Sequence, residues 1–201
     1  MVRARQAKHR KPAASARKTI THAYIKETLD KAEAGLERCW SIFHDKGEQS
    51  PDNVLSLQTS LLKILAEAEN VYREIVRERE RLIDRKSCLT PVWFKRRQAR
   101  LDHYSKSIKI VLGIGRSLGD GFAWMFYRND GHLIDEHLKL QRQPLLPPGA
   151  GGRGERLFLE KFQNSIGTLA IYHGLTSFLR MGDFSFYDPV KKKADCGDRG
   201  T

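Results

Sequence analysis

Between residues 54 and 82 apolar side chains return every three or four positions. Val54, Leu57, Leu61, Ile64, Ala68, Val71, Ile75 and Leu82 follow a heptad stripe that is broken once, at Glu78. The stripe predicts a helix, and one that runs to Lys86 reaches about 50 Å at 1.5 Å per residue. A helix of that length needs a partner of similar length to cover its apolar face. Its start is marked by Ser50-Pro51-Asp52, which supplies a cap, a proline at the first helical position and an early acid. From Arg73 through Lys86 the charges alternate in sign, so this far end is built to stay wet.

Thr90-Pro91 opens the partner. Phe94, Leu101, Tyr104, Ile108, Val111, Gly115, Leu118, Phe122 and Met125 again step by threes and fours. The short connection around Ser87–Thr90 predicts that the two helices fold back as an antiparallel hairpin. An earlier helix over 20–46, with Ile25, Leu29, Ala32, Leu36, Trp40 and Phe43 inward and a stop at Gly47, is expected to pack on it. Cys39, on the same helix, reads as a core or boundary residue.

Periodicity then weakens. After the turn Arg128-Asn129-Asp130-Gly131 a short helical piece spans Leu133 to Leu140, and a proline- and glycine-rich loop follows over 143–154. Beyond it, Glu155 to Ile166 reads as an amphipathic helix with Leu157, Leu159, Phe162 and Ile166 inward. The segments Ala170–His173 and Leu175–Leu179, and Phe184 onward, read as apolar and β-rich, with Asp183 at the start of the last strand. The fold class expected is mainly α: a long antiparallel helical hairpin within a three-helix bundle, then a small, truncated α+β segment. The organisation is a disordered basic arm (1–19), a helical bundle (20–142), the loop (143–154), the α+β segment (155–190) and a disordered polar tail (191–201).

The charge is unevenly placed. Of a formal net +12, residues 1–18 contribute seven cations and no acid, and residues 91–127 contribute a further net +5. Positive charge gathered in this way suggests a polyanion, with nucleic acid the commonest; a solvated basic surface is the plainer alternative. No apolar run is long enough to span a membrane, and no membrane partner is expected. Three well-separated cysteines without a C-x-x-C pair fit a reducing, cytoplasmic setting.

Several local patterns invite chemical readings. The glycines of Gly113-Ile-Gly115-Arg-Ser-Leu-Gly119-Asp-Gly121 resemble a phosphate loop superficially. Their spacing is wrong, no strand precedes them, and close helix packing or a kink explains them better. His132-Leu-Ile-Asp135-Glu136-His137 gathers four candidate metal ligands. The two imidazoles, however, would diverge by about 140° on a helix, so a polar surface face is the better reading. Lys95, Arg96, Arg97 and Arg100 beside Trp93 and Phe94 join cations with aromatics, a combination suited to phosphates and stacked bases, though Trp93 and Phe94 suit the closed end of a hairpin equally well. No serine or cysteine sits in a nucleophile-elbow context.

The order helix (155–166), apolar segment (168–180), then Gly182-Asp183 leading a strand of alternating Phe184/Phe186 and Ser185/Tyr187, resembles the first half of a PD-(D/E)XK nuclease core. The resemblance implies that Asp183 is the catalytic, metal-holding strand acid and that Glu155 or Glu160 is the helix-borne acid. Mg²⁺ would then polarise a phosphate and generate hydroxide, with a lysine positioning that water. The acid-x-Lys strand of that family is absent, and Lys191-Lys192-Lys193, Asp195 and Asp198 stand at other spacings. The function expected is therefore a nucleic-acid-associated, nuclease-like protein, incomplete or inactive as a phosphodiesterase. If active, it would be a Mg-dependent endonuclease. The alternative is a non-catalytic protein that docks or self-associates through its helical hairpin.

Overall fold

The two long stripes form two long helices. The computed structural model describes residues 20–44, 51–127, 131–139, 154, 157–158, 161, 169–180, 183–188 and 193–195. The elements run α1 (His22–His44), α2 (Pro51–Asp84), a 3-10 turn (Lys86–Cys88), α3 (Pro91–Tyr127) and α4 (Gly131–Leu138). They continue with β1 (Leu169–Tyr172), a second 3-10 turn (His173–Leu175), β2 (Phe184–Asp188) and β3 (Lys193–Asp195). The protein is mainly α, with a small sheet after the bundle. The basic arm over 1–19 and the loop over 143–153 lie outside the described residues, as does most of the helix expected over 155–166. Leu157, expected inward, is exposed. No helix among the described residues is long and apolar enough to cross a membrane.

α2 is the spine. At its start Val54 and Leu57 pack with Phe122, Phe126 and Tyr127 from the end of α3 and with Leu169 and Ile171 of β1. Midway, Leu61, Leu62 and Leu65 meet Leu36 and Cys39 of α1 and Tyr172 and Leu175. At the far end Ala68, Val71, Ile75 and Leu82 meet Ile25, Leu101, Tyr104 and Ile108. The start of one helix meets the end of the other, which makes the hairpin antiparallel. Thr90 caps α3 by accepting the Trp93 amide on Oγ1 (3.4 Å), with Pro91 at the first helical position. Glu78, which breaks the stripe, is an anchor: Oε1 takes Arg97 at 3.1 Å, and Arg97 also donates to the Ile20 carbonyl at 3.2 Å.

Two of the clustered glycines in α3 are there for contact. A side chain at Gly115 would run into Leu65, and one at Gly119 would meet the Leu175 carbonyl at 2.1 Å. Gly113 differs, because a Cβ there meets nothing within 4 Å. Helix packing does not explain a residue that costs about 0.5–1 kcal/mol relative to alanine in a helix interior.

Three expectations are corrected. Trp40 is 53 % exposed, and the buried line of α1 runs through Cys39 instead, because the close approach of Gly35 to Ile64 sets which side of α1 faces α2. The Trp40 indole lies beside His44, with ring centroids 3.9 Å apart. Burial pushes the Cys39 thiol up in pKa, as befits an unreactive core residue. The tail read as structureless contributes β3, whose partners on β2 are Phe186↔Asp195, Tyr187↔Ala194 and Asp188↔Lys193. β2 is therefore the central strand of the order β1-β2-β3, not the last. A ladder is made by backbone groups, so a short polar segment can complete it without an apolar pattern.

β1 is an edge strand, yet its free edge is paired. Gln58, wholly buried on α2, donates from Nε2 to the Ala170 carbonyl (2.9 Å) and accepts the Tyr172 amide on Oε1 (2.8 Å). One side-chain amide thus replaces a missing strand. Replacing Gln58 with leucine leaves both backbone groups buried without this partner. It is expected to lower the unfolding free energy by about 3 kcal/mol, read as a fall in the urea midpoint at unchanged m-value.

Candidate nucleic-acid interface

The end of the α2–α3 hairpin carries the basic residues singled out in the sequence, and the structure sorts them. Trp93, Arg96 and Arg100 step by three and four along α3 and share one flank, while Lys95 stands on the other. All four are exposed; Trp93 remains 50 % accessible. Neither Lys95, Arg96 nor Arg100 makes an ion pair among the described residues. Arg97 is different: with 16 % of its side chain exposed and two partners, it ties α3 to α2 and to the start of α1. Lys86 sits over the Phe94 ring at 5.5 Å, and Ile83 and Val92 are also exposed at this end.

The position of these cations matters. The first turn of a helix carries partial positive charge and favours acids, yet α3 has none there and continues into Lys95 and Arg96. Lys95 and Arg96 stand at the start of the second turn, where the dipole has weakened, so an anion beside them would be held chiefly by their own charge. The cations, unpaired among the described residues, and the open indole act in the same sense.

The carboxylates of the nuclease resemblance are placed less favourably. Asp183 is exposed, and its backbone carbonyl accepts the His173 amide at 3.0 Å. Glu155 and Glu160 lie outside the described residues. Among the described residues no three His, Cys, Asp or Glu side chains gather as a metal-holding group. His132 and Asp135 lie on an exposed face of α4 as expected, and Glu136 pairs with Lys139. His137 does not follow that expectation: it is fully buried and accepts the Arg180 amide on Nδ1 at 3.0 Å.

His137 belongs to a polar network that the sequence did not signal. Tyr127 donates its hydroxyl to Ser185 Oγ, and Ser185 Oγ is bonded to His173 Nε2. The His137 ring stands edge-on to His173, with centroids 5.1 Å apart, and to Tyr127, at 5.9 Å. A serine bonded to a histidine is the pairing used by hydrolytic nucleophiles, but Ser185 has no exposed surface and its oxygen already holds two partners. The network joins β2 and the turn after β1 to the end of α3. Its members come from strands and helices far apart in the chain, so no spacing could have announced it.

Comparison of the chain with protein-family models, with curated proteins and with solved structures found no match.

Burial alone lowers the pKa of His137, so the folded protein holds this imidazole neutral. The folded state therefore binds fewer protons than the unfolded chain, and its stability is fully present above the ordinary imidazole value of about 6.5. Stability is expected to fall as pH drops below that value, seen as a declining urea midpoint. His137→Phe should be less stable at pH 8, having lost the acceptor for the Arg180 amide, but should show a shallower acid slope.

Proposed function

We propose that the protein is a nucleic-acid-associated helical protein that holds a phosphate backbone at the end of its α2–α3 hairpin. The observation that carries this reading is the flank of α3 on which exposed Trp93 stands with Arg96 and Arg100, neither of them paired among the described residues. Arginines neutralise phosphates, and an indole open on one side can stack on an unpaired base, so single-stranded nucleic acid fits better than a duplex. The proposal is one of binding. Of the carboxylates that Mg-dependent cleavage would use, only Asp183 is among the described residues, and it is exposed.

Fluorescence anisotropy with a labelled single-stranded oligonucleotide, between about 0.05 and 0.3 M salt, tests it. Affinity should fall linearly on logarithmic axes, with a slope of about −0.7 for each phosphate neutralised. Arg96→Ala with Arg100→Ala should remove about 1.4 from the magnitude of that slope. Trp93→Ala should cost about 1–3 kcal/mol, and Lys95→Ala on the opposite flank should cost less. Binding that ignores salt, or that survives the double arginine change intact, would overturn the proposal.

A second reading, self-association, is favoured by one feature. Ile110, Ile114 and Trp124 are exposed and share a face of α3 by their spacing. Sedimentation should then show a concentration-dependent dimer that Ile110→Glu dissolves. A monomer at every concentration would remove this reading.

A further inference from the structure

Helices shorter than about 12 residues are marginal in water on their own, and α4 has 8. What holds it is packing. Ile134 and His137, three positions apart, are its buried side chains, with Leu133 partly covered beside them. Ile134 and Leu133 join the apolar cluster of Phe126, Tyr127 and Leu169. One of the two buried anchors of α4 is therefore a group that can take up a proton.

The surface that receives α4 is fixed separately. In the segment after β1, Thr176 donates its hydroxyl to the His173 carbonyl at 3.0 Å and accepts the Leu179 amide at 3.0 Å. Ser177 is tied to α3, its hydroxyl donating to Asp120 Oδ2 at 2.6 Å. Arg180 then clasps α4 twice. Its amide donates to His137 Nδ1 at 3.0 Å, and its guanidinium donates to the Leu138 carbonyl at 3.2 Å, satisfying a group left open at the end of the helix. A bond from Arg180 Nε to the Ser177 carbonyl at 3.3 Å keeps that side chain folded back on its own segment.

A ring nitrogen that accepts a hydrogen bond carries no proton. The Arg180 amide thus assigns the closed form of His137 as the neutral ring with its proton on Nε2. A proton on Nδ1 would set N–H against N–H. It would also place an imidazolium next to the Arg180 guanidinium and 5.1 Å from a second imidazole, His173. Tyr127, edge-on from α3, gives its hydroxyl proton to Ser185. Asp120 is engaged by Ser177, and on α4 itself Glu136 pairs with Lys139 while Asp135 is exposed. The C-terminal dipole of α4 favours a cation in its last turn, but burial outweighs it and lowers the His137 pKa.

We propose that α4 is an acid-released latch: the neutral His137 imidazole closes it on the Arg180 amide, and a proton on that ring frees the helix while the α1–α3 bundle stays folded. Opening uncovers the apolar cluster at Ile134 and one side of His173, whose Nε2 is bonded to Ser185. The closed form binds fewer protons than the open one. Closure is therefore at full strength above the ordinary imidazole value of 6.5, and each pH unit below it raises the ratio of open to closed by up to about tenfold. The latch is independent of nucleic-acid binding, because α4 follows the end of α3 and Trp93 lies at its start.

Hydrogen exchange of the full chain, read by mass spectrometry at about pH 8 and about pH 5 and corrected for the intrinsic effect of pH, tests the proposal. Peptides covering Gly131–Leu138 should open at least about tenfold more at the lower pH. Peptides covering 57–75 of α2 should stay at least about a hundredfold better protected at both, which shows that the bundle remains folded. His137→Asn places an amide oxygen near the position of Nδ1, so it keeps an acceptor for Arg180 and has nothing to protonate. Its α4 should exchange at nearly the same corrected rate at both pH values. His137→Phe, with no acceptor, should exchange fast at both, and protection of α2 reports that either variant has folded. Absence of acid acceleration in α4, protection of α2 no better than that of α4, or acid acceleration that persists in His137→Asn would overturn the proposal.

Discussion

A three-stranded sheet of this size cannot persist alone, and what makes it part of the bundle is the buried amide of Gln58. The Ala170 carbonyl and the Tyr172 amide of β1 are both bonded to it, and losing such a buried partner costs about 1–3 kcal/mol for each group. The amide of Gln58 has one donor and one acceptor at the spacing a neighbouring strand would offer, and both are used. This fixes the register of β1 against α2, and with it the side of the sheet that carries Ser185 and the turn that carries His173. Around this tie the apolar clusters supply bulk stabilisation without direction. The polar network of Tyr127, Ser185 and His173 then joins the sheet to the far end of α3.

Cations along α3 meet contrasting fates, although composition treats them alike. Arg97 lies toward the interior and is consumed by Glu78 and a carbonyl of the α1 entry. Arg96 and Arg100, on the adjacent flank, make no ion pair among the described residues, while Glu78 at the end of α2 is taken by Arg97 and Arg81. Further along, Lys109 lies against the Tyr72 ring, while Asp120 is taken up by Ser177 and Glu69 gives one oxygen to Arg73. Net charge therefore says little about where an anion would sit. Which acids have been used up says more.

The helices were legible in the sequence because a helix writes its buried face into local spacing. Leu57, Leu61, Val71 and Ile75 on α2, and Leu101, Tyr104, Ile108 and Phe122 on α3, are all in the core as the stripes predict. The antiparallel hairpin follows from the short connection and two stripes of matching length. The limits of that logic are equally local. Trp40 and Cys39 are neighbours on one helix, and it is Cys39 that packs with Leu61, Leu62 and Leu65, on the side where Gly35 lies close to Ile64.

Everything that depends on pairing across long separations was decided by the tertiary structure. β3 has no apolar pattern and exists because β2 leaves an edge of backbone groups to satisfy. Gln58 and His137 look like surface residues in the sequence and are wholly buried, each held by a backbone group more than forty positions away. The basic character of residues 93–100 was readable; the withdrawal of Arg97 from it was not. By itself the sequence determined the length, pairing and inner faces of the long helices, since periodicity is a property of neighbours in the chain. The sheet, the buried polar groups and the division of charges into spent and unspent came from contacts between segments brought together only on folding, and hydrogen bonds and ion pairs of that kind leave no spacing to read.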